Sequence, residues 1–297
     1  MILLGILLTV AALAWLCRWL VRHETDVRHR WAELATHPRV TALRIRFAPQ
    51  IAFLRARLSP AEFLGLDLTI GAIILIGASW IFGKIAEDVV TGDPLTAVDR
   101  EIAVWPHLHA TPTLTEAMKF LSLLASWPVV TCICLFMALY FVRERSRYHL
   151  LALMLTIPIG MLMNGMLKYA FHRSRPAWDD PIVMIGRFSF PSGHAIAATL
   201  LYGFLAAFVV RKVQAWRWRV LIVLAAGLLI VLIGFSRLYL GVHYLSDVLA
   251  GMAAGAAWLA LCLSAVGALR RHRVQRQGAG STYIVFPAPR PLAPISQ

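Results

Sequence analysis

Long uninterrupted apolar runs alternate along this chain with short polar connections rich in arginine or proline. Seven runs reach or approach the roughly 20 residues that a helix needs to cross a bilayer. They are residues 1–17, 63–86, 114–142, 148–170, 194–210, 220–236 and 242–269. The first is followed by Arg18 and Arg22, the reverse of the charge order of a cleaved signal peptide. It reads as a spanning helix with its N-terminus outside, or as a shorter interfacial or re-entrant one. Residues 18–58 change character: nine arginines are interleaved with Val40, Leu43, Phe47, Ile51 and Leu54 at spacings of three and four. That basic amphipathic pattern, broken by Pro38 and Pro49, suits a segment lying on an anionic phospholipid surface. Ser59-Pro60-Ala61-Glu62 then reads as a helix start, with Ser as cap, Pro at the first position and Glu completing a capping box.

Between the spans, residues 87–115 are acidic at their start and hold a candidate short surface helix over 98–105. Residues 171–190 read as a loop, and Pro158 falls inside the fourth span, where neighbouring helices tolerate a kink. The arginine- and proline-rich end from Arg270 reads as a disordered tail. The chain divides into an N-terminal membrane helix (1–17), a basic segment (18–62), a six-helix membrane domain (63–269) and a tail (270–297).

Composition agrees with this division. Hydrophobic residues make up 59% and charged residues 15%, against about 45–50% and about 25% in soluble domains. The fold class is all-α, a polytopic membrane helical bundle; outer-membrane barrels would show alternating strands instead. The net charge of +14 would suggest nucleic acid in a soluble protein, but no aromatic-plus-basic module accompanies it. The arginine clusters follow spans one, three, five and seven, all on one side, which the positive-inside rule makes cytoplasmic. The expected location is an inner (cytoplasmic) membrane with a cytoplasmic C-terminus. The four cysteines, Cys17, Cys132, Cys134 and Cys262, lie in apolar runs and imply no disulfide framework.

The ionisable residues left near the opposite side carry the candidate chemistry. Lys168 ends span four, Arg175-Pro176 follows, Pro191-Ser192-Gly193-His194 opens span five, and Ser236-Arg237 ends span six. His243 and Asp247 open span seven, four residues apart, so on a helix they share a face. That pair is either self-satisfying or an imidazole oriented for chemistry. If the helix persists, Lys168 and Arg175 lie two turns apart and face one pocket. Three cations at three helix mouths, with the amides of Ser192 and Gly193, describe an anion site. With two histidines it suits phosphoryl transfer: His243 as nucleophile, Asp247 orienting it, His194 protonating the leaving oxygen, and no metal or other cofactor required.

K-x6-R-P (Lys168 to Pro176), P-S-G-H (Pro191 to His194) and S-R-x5-H-x3-D (Ser236 to Asp247) resemble the three ordered motifs of the type 2 phosphatidic acid phosphatase family. The resemblance implies a six-helix core and catalytic roles for His243, His194 and Asp247. It places phosphate on Lys168, Arg175, Ser192, Gly193 and Arg237. It implies a lipid phosphatase acting at the outer face on undecaprenyl diphosphate, phosphatidylglycerol phosphate or phosphatidic acid. Transfer of the phosphoryl group to a second lipid would use the same site, and a scaffold or transporter retaining an old fold is the non-enzymatic alternative. Trp178, Asp179, Asp180 and Arg187 are expected near the headgroup.

Overall fold

A computed structural model describes residues 64–92, 94–108, 110–176 and 188–280, together with Ala48. The expected helix 1–17, the segment 18–62, the loop residues Trp178, Asp179, Asp180 and Arg187, and the chain beyond residue 280 lie outside the described residues.

Eight helices form the described part: α1 (Leu64–Thr91), α2 (Pro94–Leu108), α3 (Pro112–Leu123), α4 (Trp127–Arg143), α5 (Arg147–Phe171), α6 (Gly193–Lys212), α7 (Trp216–Tyr239) and α8 (Leu245–Gly280). Among the described residues, six stretches are long and apolar enough to cross a membrane, with α3 and α4 together making one of them. Large apolar side chains such as Ile73, Phe136 and Leu162 point outward, as a lipid-facing surface requires.

α8 is the central post, packing against α1, α5, α6 and α7. Small residues permit the approach. A Cβ on Gly251 would lie 2.7 Å from the Ser192 carbonyl oxygen, so α8 touches the backbone at the mouth of α6. A large apolar core fills the space between α4, α5, α6, α7 and α8.

Several boundaries differ from those expected: α1 runs on past 86 to Thr91, and α7 starts at Trp216, before 220. The third span is broken at Leu124–Ser126, because Pro128, near the start of α4, has no N–H to donate and its ring would clash with the carbonyl of residue 124. α8 begins at Leu245, not 242, since Gly241 takes a left-handed turn (φ 67°) that the preceding helix cannot continue through. It also runs on to Gly280, through the start of the expected tail, where Ala268, Arg270, Arg271, Gln275 and Arg276 favour helix. The short helix expected over 98–105 is the middle of α2.

Candidate active site

Each charged candidate sits where a helix ends or begins at one end of the bundle. Arg237 lies in the last turn of α7 and is only 3% exposed. Its Nη1 donates to the Ser122 hydroxyl of α3, which the break between α3 and α4 follows. Its Nε and Nη2 are buried with no hydrogen-bond partner among the described residues. A buried guanidinium with unmatched donors is strongly unfavourable unless an anion meets it.

His243 lies in the turn before α8 and is almost wholly buried. The pair with Asp247 is present, with Nδ1 3.3 Å from Asp247 Oδ2, although His243 is not on the helix. The geometry is that of a helix start. Asp247, in the first turn of α8, accepts the Tyr244 N–H at 3.0 Å, as a capping-box acid does. The other ring nitrogen, Nε2, lies 3.2 Å from Arg175 Nη1. A guanidinium can only donate, so Nε2 is the acceptor and Nδ1 carries the proton toward Asp247. Burial pushes the imidazole down to about 4; Asp247 opposes that fall, and Arg175 and Arg237 add to it. Nε2 therefore keeps a lone pair at neutral pH.

Arg175 reaches His243 without a continuous helix. α5 ends at Phe171, His172 turns left-handed (φ 49°), and Arg175 extends from the coil. Its Nη1 also donates to the Val242 carbonyl at 2.6 Å, and burial lowers its pKa from the ordinary value. Lys168, still on α5, donates to the carbonyls of Phe188 (3.0 Å) and Ser189 (3.3 Å). It thus braces the segment that leads into Pro191, while Arg175 and Arg237 remain close enough to repel it.

Ser192 caps α6 by accepting the Ala195 N–H at 3.5 Å. Of the two amides expected to face an anion, that of Ser192 donates instead to the Asp247 carbonyl at 2.9 Å. Gly193 is closely packed: a Cβ there would lie 3.0 Å from Asn164 Nδ2, so that side chain would have to give by a few tenths of an ångström. His194 follows on the first turn of α6 and shares its electrostatic surroundings with Arg237, His243, Arg175 and Lys168. It also lines a cavity of about 140 Å³ with Ala125, Trp127, Val130, Met161, Gly193 and Ala197. An apolar crevice thus runs up to a histidine at the edge of a cationic cluster.

The sequence reading missed Asp99 and Arg173. Asp99, on α2, is 1% exposed and pairs with Arg173 at 2.8 Å. Arg173 in turn meets Asp247 Oδ1 at 2.7 Å. The available signals were slight. Arg173 sits among the variable positions of K-x6-R-P, and Asp99 shares a helix face with buried Ala103.

A family model of the PAP2 superfamily matches residues 148–271. Phosphatidylglycerophosphatase B of Bacillus subtilis (strain 168) is 30% identical over 181 residues, which cover 59% of this chain and 87% of that protein. An undecaprenyl-diphosphatase of Sulfolobus acidocaldarius is 28% identical over 169 residues, 54% of this chain and 75% of that one. Lipid A 1-phosphatase of Rhizobium johnstonii is 34% identical over 126 residues, 38% of this chain and 46% of that one. Among solved structures, a transmembrane PAP2 type phosphatidylglycerolphosphate phosphatase from Bacillus subtilis superposes with a TM-score of 0.59 at 26% identity. That superposition covers 72% of this chain and 100% of the other.

Proposed function

This chain belongs to the PAP2 superfamily of membrane lipid phosphatases, and from that premise we propose that it hydrolyses a lipid phosphate or diphosphate through a phospho-histidine on His243. The observation that carries the reading is Arg237, whose Nε and Nη2 are buried without partners among the described residues, beside an imidazole whose Nε2 is an acceptor. A phosphoryl group is the anion that would use both. Its oxygens would take the donors of Arg237 and Arg175, with Lys168, the Ser192 hydroxyl and the Gly193 amide nearby, and its phosphorus would face Nε2.

In the first step the Nε2 lone pair forms the N–P bond while the bond from phosphorus to the lipid oxygen breaks. His194 gives that oxygen its proton. Asp247, holding Nδ1–H, stabilises the positive charge that grows on the ring. In the second step water attacks phosphorus, His194 takes back a proton, the N–P bond breaks, and inorganic phosphate leaves. The apolar crevice beside His194 gives the departing lipid a place next to its proton donor, which favours a lipid over a soluble phosphate ester.

The substrate would be met at the outer face of an inner membrane. The site lies at the end of the bundle opposite Arg143, Arg147, Arg211 and Arg270, and such clusters stay cytoplasmic. The relatives' names point to phosphatidylglycerol phosphate, undecaprenyl diphosphate and lipid A 1-phosphate as the substrates to try first.

The test is phosphate release from these lipids and phosphatidic acid by the purified full-length protein in detergent. Release from at least one is expected, inhibited by vanadate as a five-coordinate mimic and unaffected by EDTA. Loss of turnover in EDTA, restored by a divalent ion, would replace this mechanism with a metal-assisted one. Phosphate appearing on a second lipid, and not in solution, would make the protein a transferase.

A further inference from the structure

A carboxylate that orients an imidazole must itself be held, and its charge must reach the ring. The two oxygens of Asp247 are divided between different partners. Oδ2 faces His243 Nδ1 and the Tyr244 amide. Oδ1 accepts from Arg173 Nη1 at 2.7 Å. The same Nη1 donates to the Ser246 hydroxyl at 2.6 Å, which donates onward to Asp99 Oδ2 at 2.5 Å. Arg173 Nη2 meets Asp99 Oδ2 at 2.8 Å, and Asp99 Oδ1 takes the Ser246 amide at 2.9 Å. Asp99 and Asp247 are essentially without solvent contact, and the Arg173 guanidinium stacks 4.4 Å from the centre of the Tyr244 ring. A chain of hydrogen bonds thus runs from α2 through the coil after α5 to the first turn of α8.

Two consequences follow. Arg173 locks the rotation of the Asp247 carboxylate, so that Oδ2 stays aimed at Nδ1. Alone, however, Arg173 would cancel the Asp247 charge at close range. Asp99 neutralises Arg173, so the three groups together leave one negative charge to act on His243. We propose that Asp99 and Arg173 are positioning residues for phosphoryl transfer: Arg173 sets the angle of Asp247, and Asp99 keeps its charge effective at the nucleophile. This rests on the phospho-histidine reading above. The other charged or titratable groups facing His243 are Arg175 from the coil, Arg237 from α7 and His194 from α6; all are untouched by the changes below.

The charge logic gives opposite signs for two substitutions. Asp99→Asn leaves Arg173 to cancel the Asp247 charge, makes the surroundings of His243 more positive, and should move the acid limb of kcat/KM to lower pH. Arg173→Gln leaves two carboxylates unopposed and should move that limb to higher pH. Each shift should be about half a pH unit or more, with kcat reduced about ten- to hundredfold and KM changed far less. The double variant Asp99→Asn/Arg173→Gln restores the local charge balance without the orienting bond. Its limb should return to the wild-type pH while kcat stays low.

These profiles are measured on full-length protein in detergent, for variants eluting as a single species with a cooperative thermal melt. Limbs that stay put, or that move in the same direction in both single variants, overturn the proposal. So does a double variant with wild-type kcat. If the single variants do not fold, the double variant decides: a low kcat with the limb at the wild-type pH supports the proposal and a wild-type kcat or a displaced limb overturns it, and its failure to fold where His243→Ala folds would make the network a structural one only. His243→Ala separates the two levels: turnover surviving in it removes the phospho-histidine reading itself, whereas its loss beside unaltered Asp99 and Arg173 variants removes only the positioning role.

Discussion

At one end of the bundle, Arg143, Arg147, Arg211, Lys212 and Arg217 are exposed. Lys212 rests its ammonium over the rings of Tyr140 and Phe208, 4.9 Å and 4.7 Å from their centres. At the other end Arg237 is buried, and Arg173 keeps only 14% of its side chain exposed while two carboxylates hold it. The two ends share a residue type and differ in solvation. Exposed cations are nearly free of desolvation cost and serve orientation in the membrane. Desolvated ones need a matched partner, a ligand, or both. Within the buried set, Arg173 has its partners in the protein, whereas Arg237 has two donors without one among the described residues. That contrast separates the framework of the site from its proposed anion-binding face.

The sharpest way to break the comparison is Arg237→Ala, expected to lower kcat/KM by about a hundredfold or more. Arg237→Lys should recover only part of the loss, because an ammonium restores a charge and not the planar fork. Steady-state kinetics on a lipid phosphate would check both, and near-normal turnover in the alanine variant would mean that the unpartnered donors meet no substrate.

A smaller effect concerns pH. Burial holds His243 down at about 4, so activity should persist through mildly acidic pH and fall only as that value is approached. An acid limb near the ordinary 6.5 would show that the imidazole is well solvated. Stability should follow the same group. Unfolded chains take up this proton near 6.5 and the folded protein near 4. The contribution is therefore complete above 6.5 and lost as pH falls through that window, readable as a falling melting temperature.

The smallest effect belongs to the exposed end. Arg143→Ala should change stability by less than about 0.5 kcal/mol and leave turnover within about twofold, by thermal melt and phosphate release. A loss like that of Arg237→Ala would erase the distinction between the ends.

Much of this was legible in the linear chain. Each apolar run described by the structure returns as helix, the third as the pair α3 and α4, because membrane insertion demands long apolar stretches whatever the tertiary fold. Lys168, Arg175, His194, Arg237, His243 and Asp247 gather at one end because an up-and-down path returns every second connection to the same side. Lys168 and Arg175 do not share one helix face as their spacing suggests: the two converge although α5 ends between them.

The sequence alone determined the membrane class, the number of described spans and the chemical groups that the three motifs carry, since these depend on local hydrophobicity and on motif order; it did not single out Asp99 or Arg173. Only the tertiary structure decided how those groups are wired. Asp99 and Arg173 stand 74 residues apart, and no periodicity links them. They meet because α2 packs against α8 and because a buried carboxylate must find a donor once water is excluded. The same packing placed Ser122 on Arg237 and left Nε2 of His243 facing Arg175.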